Sequence, residues 1–522
     1  MEKGTKTIAL IGRIDSNNAA AAEQEILAKL GGEQNCTVIL DADKLEYISS
    51  AGLRVILHLK KTFSDLRIVN VNPEVYEIFD MTGFTEMMPV EKAYRVVSVD
   101  GCEEIGRGAN GSIYRIDQDN VVKVYNNAAA LDEIQHEREV AKLALILGIP
   151  TAISYDVVRV GESYGSVFEL LNASSFSKIL ASEPERLDWC VGEYVKMLKT
   201  IHSTLVPAGK LPDMKETALW WVSTALPALP QEIGEKLTAL VRAIPHDDHM
   251  LHGDYHTKNL MLQGDEVLLI DMDTLAVGHP IFELGNMYNA YLGFYELDHD
   301  AIKEFQGFDY ETGAAFWKKS LSAYLGTKCD RKLREVEDKA RVLGYTRLIS
   351  RAVRRRLDET QKGSAEIAFW KKELFQLLEH VDTLTFSPNE LIIEAETENL
   401  QEVQTFVAER LEAADCPPKT MMQINIAVEE IFVNIASYAY APEKGSATVR
   451  VEVPASPVSV TITFMDHGIP YDPLARTDPD ISLAADERGI GGLGVFMTKK
   501  MMDDIAYEYR DGQNILTMKK NL

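Results

Sequence analysis

The sequence predicts a multidomain α/β chain. Three observations carry that prediction. The 522 residues amount to about three domains. Strand patterns alternate with helical ones through the first hundred residues. Clusters of glycine, acid and asparagine recur in widely separated stretches. The 46% hydrophobic and 26% charged content is that of a globular chain. Its 54 Lys and Arg against 80 Asp and Glu leave a net charge of −26, a field that repels nucleic acid and anionic membranes. No apolar run approaches the roughly 18 residues of a membrane span, and no signal-peptide core follows the N-terminus. Five scattered cysteines without a Cys-x-x-Cys pair argue against a zinc site or disulfide framework. A cytosolic protein is expected, binding neither nucleic acid nor membrane, with domains at 1–97, 98–383 and 384–522.

In the first block, residues 7–12 read as a strand ending in a turn at Gly12, 17–30 as a helix, 36–41 as a strand, 50–61 as a helix and 66–71 as a strand. Ser49-Ser50-Ala51-Gly52-Leu53 joins strand to helix, where serines cap the first turn. Together with Gly12-Arg13-Ile14-Asp15 and Leu40-Asp41, this segment resembles the anti-sigma factor antagonist (STAS) family, an α/β sheet domain. The serine phosphorylated in that family, two positions before the Gly-Leu pair, falls on Ser50; Ser49 stands where many members have Asp. A phosphate there would add about −1.5 to −2 charges at a helix N-terminus, which tolerates an anion.

The second block opens with Gly106-Arg107-Gly108-Ala109-Asn110-Gly111. A dinucleotide fold would place a helix directly after such a run, but Ser112-Ile113-Tyr114-Arg115-Ile116 continues as a strand. Residues 121–125 form another, bearing Lys123. Downstream, His252-Gly253-Asp254-Tyr255-His256-Thr257-Lys258-Asn259 supplies an Asp and an Asn five apart, and a strand at 267–270 ends in Asp271-Met272-Asp273. Phosphoryl transfer needs a carboxylate at the acceptor hydroxyl, the part that suits Asp254. It also needs oxygen ligands for Mg²⁺, the part that suits Asn259 and Asp271. Gly106, Gly108, Gly111 and Lys123 would hold ATP. The ordered set resembles the aminoglycoside/choline phosphotransferase branch of the bilobal, α+β kinase-like fold. That resemblance implies a helix Glu paired with the Lys, best matched by Glu139 with Glu137 as the fallback. His252 is expected to support the loop and His256 to be exposed. From Lys332 to His380 the chain reads as helix. Its Arg341, Arg347, Arg351, Arg354, Arg355 and Arg356 form the most basic stretch of an acidic chain, expected as a solvated face paired with nearby acids, or else as a surface docked on an acidic domain.

The third block carries Glu430 and Asn434 on one helix face. There a Glu can orient a water and an Asn can hold Mg²⁺. Asp466-His467-Gly468 then makes a turn whose acid can accept from an adenine amino group, and Gly489-Ile490-Gly491-Gly492-Leu493-Gly494 opens a helix suited to phosphate. The order resembles the GHKL (Bergerat-fold, α/β sandwich) ATPases, and more closely the anti-sigma factor serine kinases. By that resemblance Glu430 is the catalytic base, Asn434 a Mg²⁺ ligand and Asp466 the adenine contact, with Gly468, Gly492 and Gly494 shaping the phosphate turn. Pro470 replaces the second Gly of the commonest Asp-x-Gly-x-Gly form.

The leading functional reading is a cytosolic, partner-switching signalling kinase using ATP and Mg²⁺. It would transfer the γ-phosphate to a serine, Ser50 in cis or that of a partner STAS protein, with an anti-sigma or sigma factor as partner. The resemblance also implies a homodimer. The alternatives are a small-molecule phosphotransferase for an amino alcohol or aminoglycoside-type acceptor, regulated by its flanking domains, and a nucleotide-sensing scaffold without turnover.

Overall fold

The computed structural model describes residues 4–31, 36–108, 111–127, 130–453, 459–475 and 493–522. The chain divides into two compact units, residues 1–138 with 153–170, and residues 139–152 with 171–522.

The first unit begins with a parallel sheet in the order β1 (Thr5–Ile14), β2 (Thr37–Ile48), β3 (Leu66–Val71) and β4 (Val90–Lys92). Helices α1 (Ala19–Leu30), α2 (Ser50–Thr62), α3 (Pro73–Met81) and α4 (Phe84–Met87) connect and flank these strands. Val38, Leu40, Ile56, Leu59, Ile68 and Phe79 are buried in one core. Gly12 does not end the first strand, as its sequence suggests. It adopts φ +67° within a bulge, with register shifts on either side, and the strand runs on to Ile14. That extension carries the edge of β1 to the start of α2, where the Ile14 carbonyl accepts from the Ser49 N–H at 2.9 Å.

The same unit holds a six-stranded sheet, β5 (Arg95–Val96), β6 (Glu103–Arg107), β7 (Gly111–Arg115), β8 (Asn120–Tyr125), β9 (Asp156–Val160) and β10 (Ser163–Glu169), in the order β5-β9-β10-β8-β7-β6. The glycine run is a hairpin turn between antiparallel strands, as its sequel predicts. Helix α5 (Leu131–Ile146) follows β8.

The second unit is mainly helical at first: α6 (Phe176–Ser182), α7 (Leu187–Ser203), α8 (Met214–Ala225), α9 (Gln231–Ala243), α10 (Ile281–Tyr288), α11 (Ala301–Gln306), α12 (Tyr310–Leu325), α13 (Asp330–Arg354) and α14 (Gln361–Leu378). Short strands β11 (Ser174–Ser175), β13 (Leu260–Gln263) and β14 (Glu266–Leu269) form one small sheet, and β12 (Met250–Leu251) pairs with β15 (Ala276–Val277). The expected long helical tail is two helices, α13 and α14. The unit ends in an antiparallel sheet ordered β16 (Glu390–Glu394), β17 (Ser446–Glu452), β18 (Ser459–Asp466), β20 (Gln513–Asn521) and β19 (Asp504–Arg510). Helices α15 (Leu400–Ala413) and α16 (Pro418–Asn434) share its core through Val403, Phe406, Val428 and Phe432, and α17 (Leu493–Met501) precedes β19. The start of α13 is joined to α15. Glu409 accepts from the Thr327 hydroxyl at 2.5 Å and the Lys328 N–H at 2.8 Å, the Cys329 thiol donates to Glu402 at 3.0 Å, and Arg331 pairs with both Glu394 and Glu402.

Candidate functional sites

At the start of α2 the two serines divide the work. Ser49 is the cap, its hydroxyl accepting from the N–H groups of Ala51 at 3.2 Å and Gly52 at 3.4 Å. Ser50 is the first helical residue and is exposed. One turn on, Arg54 Nε donates to the Ser50 carbonyl at 3.3 Å. A Cβ at Gly52 would collide with the Ile14 carbonyl and the Ile48 side chain, which is why helix and strand end can meet there only with glycine between them.

In the six-stranded sheet, the Gly108 N–H donates to the Gly111 carbonyl at 2.9 Å and closes the hairpin of β6 and β7. Gly111 lies so close to β8 that a Cβ would overlap the Val124 carbonyl, whereas Gly106 meets only the Ile113 side chain. Lys123 Nζ sits 3.0 Å from both carboxylate oxygens of Glu137. This corrects the choice of Glu139. Ile134, Glu137, Ala141 and Ala144 recur at helical spacing on the packed face of α5, while Glu139 points to solvent. Tyr125, which the sequence reading missed, donates its hydroxyl to Glu137 Oε2 at 2.6 Å and helps to hold the carboxylate.

The Asp254 loop is held from beneath by groups far away in sequence. The N–H groups of His252 and Gly253 donate to Glu283 Oε2 at 2.5 and 3.1 Å, and Glu283 is fully buried. Asn286 Nδ2 donates to the Gly253 carbonyl at 2.8 Å, and the Thr274 hydroxyl to the His252 carbonyl at 2.8 Å. Gly253 has φ +82°, and a Cβ there would overlap the Thr274 carbonyl. Asn259 Nδ2 donates to the Asp254 carbonyl at 3.0 Å. The Ile270 N–H donates to the Asn259 carbonyl at 3.0 Å, so the β13–β14 hairpin brings Asn259 beside the segment that ends in Asp271, itself at φ +64°. His252 is buried, and burial drives its pKa down; its Nδ1 accepts from the Asp254 N–H at 3.4 Å, the supporting part expected of it. His256 is not exposed as expected. It is 7% accessible, packs edge-on against Phe305, and sets Nε2 3.5 Å from Asp254 Oδ2. Burial alone would raise the Asp254 pKa. The His256 hydrogen bond and charge, with Arg347 and His252 behind them, outweigh it and take the carboxyl to about 2, so Asp254 is ionised at neutral pH. Its side chain is 43% accessible.

In the final sheet, Asp466 is buried at the end of β18. Its Oδ1 accepts from the Gly468 N–H at 2.9 Å and from Asn514 Nδ2 at 2.8 Å. Asn514 in turn accepts from the Tyr507 hydroxyl at 2.7 Å and the Tyr471 N–H at 3.2 Å. This pinning residue lies 48 positions downstream and was missed in sequence. A Cβ at Gly468 would run into the Ala439 backbone, and one at Gly494 into the Glu430 carboxylate. Glu430 on α16 and the N-terminus of α17 are therefore in direct contact. Asn434 closes the last turn of α16, half-buried, one turn after Glu430. Gly492 lies outside the described residues.

The described residues hold no cluster of three or more His, Cys, Asp or Glu arranged for a metal. Mg²⁺ in phosphoryl-transfer sites needs only one or two protein oxygens beside phosphate and water. Asn259 with Asp271, and Asn434 with Glu430, are donor sets of that size and type, so the residues fit the ion. No helix among the described residues is long and apolar enough to cross a membrane.

Three family models match successive parts of the chain: the STAS domain over residues 2–97, the phosphotransferase enzyme family over 101–316, and the histidine kinase-like ATPase domain over 393–520. A putative anti-sigma factor antagonist of Bordetella bronchiseptica, BtrV, is 40% identical over 86 residues, 16% of this chain and 72% of that protein. The serine/threonine-protein kinase BtrW of the same organism is 27% identical over 95 residues, 18% of this chain and 66% of that protein. The serine-protein kinase RsbW of Listeria monocytogenes is 29% identical over 101 residues, 18% of this chain and 63% of that protein. The chain thus spans just under two thirds of the length of these kinases. Among solved structures, an ADP-bound aminoglycoside phosphotransferase aligns over 58% of this chain and 98% of its own, at 13% identity and a TM-score of 0.39. The chain belongs, through its first domain, to the STAS family of anti-sigma factor antagonists, and it continues into a phosphotransferase-family domain and a histidine kinase-like ATPase domain that make it an ATP-dependent phosphotransferase.

Proposed function

We propose that this chain is a partner-switching serine kinase of a sigma-factor pathway, carrying kinase and antagonist domains on one polypeptide. The ATPase domain uses Mg²⁺-ATP, with Glu430 as base, Asn434 as metal ligand and Asp466 as adenine contact. Gly468 and Gly494, with Gly492, shape the phosphate turn. The acceptor is a STAS serine, Ser50 of this chain or its counterpart on a partner protein. One observation carries the reading: Ser49 takes over the capping role, which leaves the Ser50 hydroxyl exposed and free of structural duty at a helix N-terminus that accepts phosphate. Phosphorylation would leave the fold standing and change which of two partners, an anti-sigma factor or a sigma factor, the exposed surface admits. The relatives named as antagonist and serine kinases support that pairing.

A second reading rests on the Asp254 loop, whose buried supports would be superfluous in an inert domain. Here Asp254 takes the proton of an acceptor hydroxyl, Asn259 and Asp271 hold Mg²⁺, and Lys123, positioned by Glu137, steadies the phosphates of ATP beneath the Gly106–Gly108–Gly111 hairpin.

Mass-spectrometric phosphosite mapping of the full chain after incubation with Mg²⁺-ATP separates the two. Phosphate on Ser50 that disappears with Glu430→Ala and persists with Asp254→Asn is the expected result. Loss with Asp254→Asn alone would make the middle domain the protein kinase, and an unmodified Ser50 in every sample would end the cis reading.

A further inference from the structure

The arginine stretch of α13 is not the acid-paired face expected of it: Arg341, Arg347 and Arg351 are half-buried, and Arg354, Arg355 and Arg356 are exposed. Arg341 alone has acid partners, Asp338 at 3.3 Å and Glu373 at 3.0 Å. Among the described residues, Arg347, Arg351, Arg354 and Arg355 form no ion pair, in a chain with 26 more acids than bases. Arg347, Arg351 and Arg354 recur at helical spacing on one side of α13, with Arg355 just past its end, an arrangement of like charges that disfavours the helix by itself. Three of them lie instead over aromatic rings: Arg347 5.4 Å from the centre of Trp221, Arg351 4.9 Å from Phe294 and Arg354 4.5 Å from Trp220.

Their position is set by a close helix crossing. Gly285 of α10 packs closely on α13: a Cβ there would lie 3.0 Å from Leu343 Cβ and 3.1 Å from the Ala340 carbonyl, tighter than an ordinary contact. α10 is the helix whose Glu283 and Asn286 carry the Asp254 loop. Arg347 lies one turn past that crossing. Its guanidinium is half-buried, and its field reaches Asp254: burial pushes the Arg347 pKa down, and the Asp254 and Glu283 carboxylates push it back up.

We infer that these arginines, with Trp220, Trp221 and Phe294, form the acceptor subsite of the Asp254 loop, and that the acceptor is a small hydroxyl compound bearing a carboxylate or phosphate, not a polycation. The inference rests on the second reading above, with Asp254 as the group that receives the acceptor proton. In the transfer, the acceptor oxygen forms a bond to the γ-phosphorus, the bond from that phosphorus to the β,γ-bridging oxygen breaks, ADP leaves, and the hydroxyl proton passes to the Asp254 carboxylate. The acceptor's anion is held by the guanidinium forks, which match a carboxylate or phosphate two bonds at a time. A polyamine acceptor would meet the unneutralised cations of Arg347, Arg351 and Arg354 there.

The test is isothermal titration of the full chain, saturated with ADP and Mg²⁺ so that nucleotide sites are filled. The probes are 3-phosphoglycerate, which carries both anions and a free hydroxyl, and kanamycin, a hydroxylated polycation. The expected result is binding of 3-phosphoglycerate that weakens about tenfold or more in each of Arg347→Gln and Arg351→Glu, is retained in part by Arg347→Lys, and tightens in Asp254→Asn as a repelling carboxylate is neutralised. Tryptophan fluorescence of each variant checks folding. Kanamycin binding in preference to the anion, anion binding indifferent to the arginines, or binding of neither probe overturns the inference. Anion binding without any Asp254-dependent turnover would leave the subsite standing and remove the catalytic reading beneath it.

Discussion

Replacing Glu283 with alanine tests whether the Asp254 loop is held as described. The carboxylate is fully buried and accepts two backbone N–H groups through one oxygen. It also faces His202, whose Nε2 lies 3.9 Å away. Glu283→Ala leaves both N–H groups in the interior without an acceptor, at about 1–3 kcal/mol each, and opens a cavity beside them. A total of about 3–5 kcal/mol follows, the usual cost of breaking a buried charged network. Glu283→Gln keeps an acceptor oxygen in the same shape and loses only the charge, so it should cost roughly 1–2 kcal/mol. All five tryptophans, Trp189, Trp220, Trp221, Trp317 and Trp370, lie between residues 98 and 383. Fluorescence-detected urea unfolding therefore follows this part of the molecule selectively. With a slope of about 3–4 kcal/mol per molar for a domain this large, Glu283→Ala should lower the midpoint by about 1 M. Hydrogen exchange should show the His252 and Gly253 amides losing protection in the same variant. A midpoint shift under about 0.2 M, or equal shifts for alanine and glutamine, would refute the reasoning.

Glu137→Gln should raise the KM for ATP about tenfold or more in any turnover that depends on Asp254, and Glu139→Gln should leave it unchanged, as steady-state kinetics on the two variants would show. Gly494→Ala puts a methyl group where the Glu430 carboxylate lies. It should abolish nucleotide binding by the ATPase domain, with equilibrium dialysis reading one nucleotide per chain instead of two. His279 accepts the Ile281 N–H at Nδ1 and packs edge-on against Phe386; burial takes its pKa down to about 4. The folded state then binds fewer protons than the unfolded one between pH 6.5 and 4, so this residue's contribution to stability falls as the pH drops through that window. Urea midpoints at pH 7 and pH 5 should converge in His279→Gln relative to the parent chain.

Much of the candidate site's local arrangement was legible because its residues fall in short, ordered spacings. The glycine hairpin followed by a strand, the Asp–Asn pair five apart and the Glu–Asn pair one helical turn apart are local patterns. What was not legible depends on long-range packing. Glu283 and Asn514 act on partners 31 and 48 residues away, and nothing near either of them marks its target. Glu137 and Glu139 differ only in which faces inward, a matter decided by the stripe of Ile134, Ala141 and Ala144. Gly12 reads as a turn, but its left-handed backbone is absorbed by a bulge inside a continuing strand. The α13 arginines read as paired with nearby acids by charge alone, because the rings that three of them cover come from α8 and the segment after α10. The third strand–helix repeat, α3 and β4, escaped notice because β4 is only three residues long.

The joint between α13 and α15 also contains a chemical clock. The Cys329 thiol is 5% accessible, donates to Glu402, and is pushed up to about 11 by burial first and by that carboxylate next. While the joint is closed, almost none of it is thiolate, and alkylating reagents find nothing to attack. If the ATPase domain swings off α13, both the burial and the carboxylate are removed together. The thiol then returns toward its ordinary range, and its reactive fraction at mild alkaline pH rises by about two orders of magnitude. The rate at which Cys329 is labelled therefore counts how often the two domains part, without any probe having to be added to the protein.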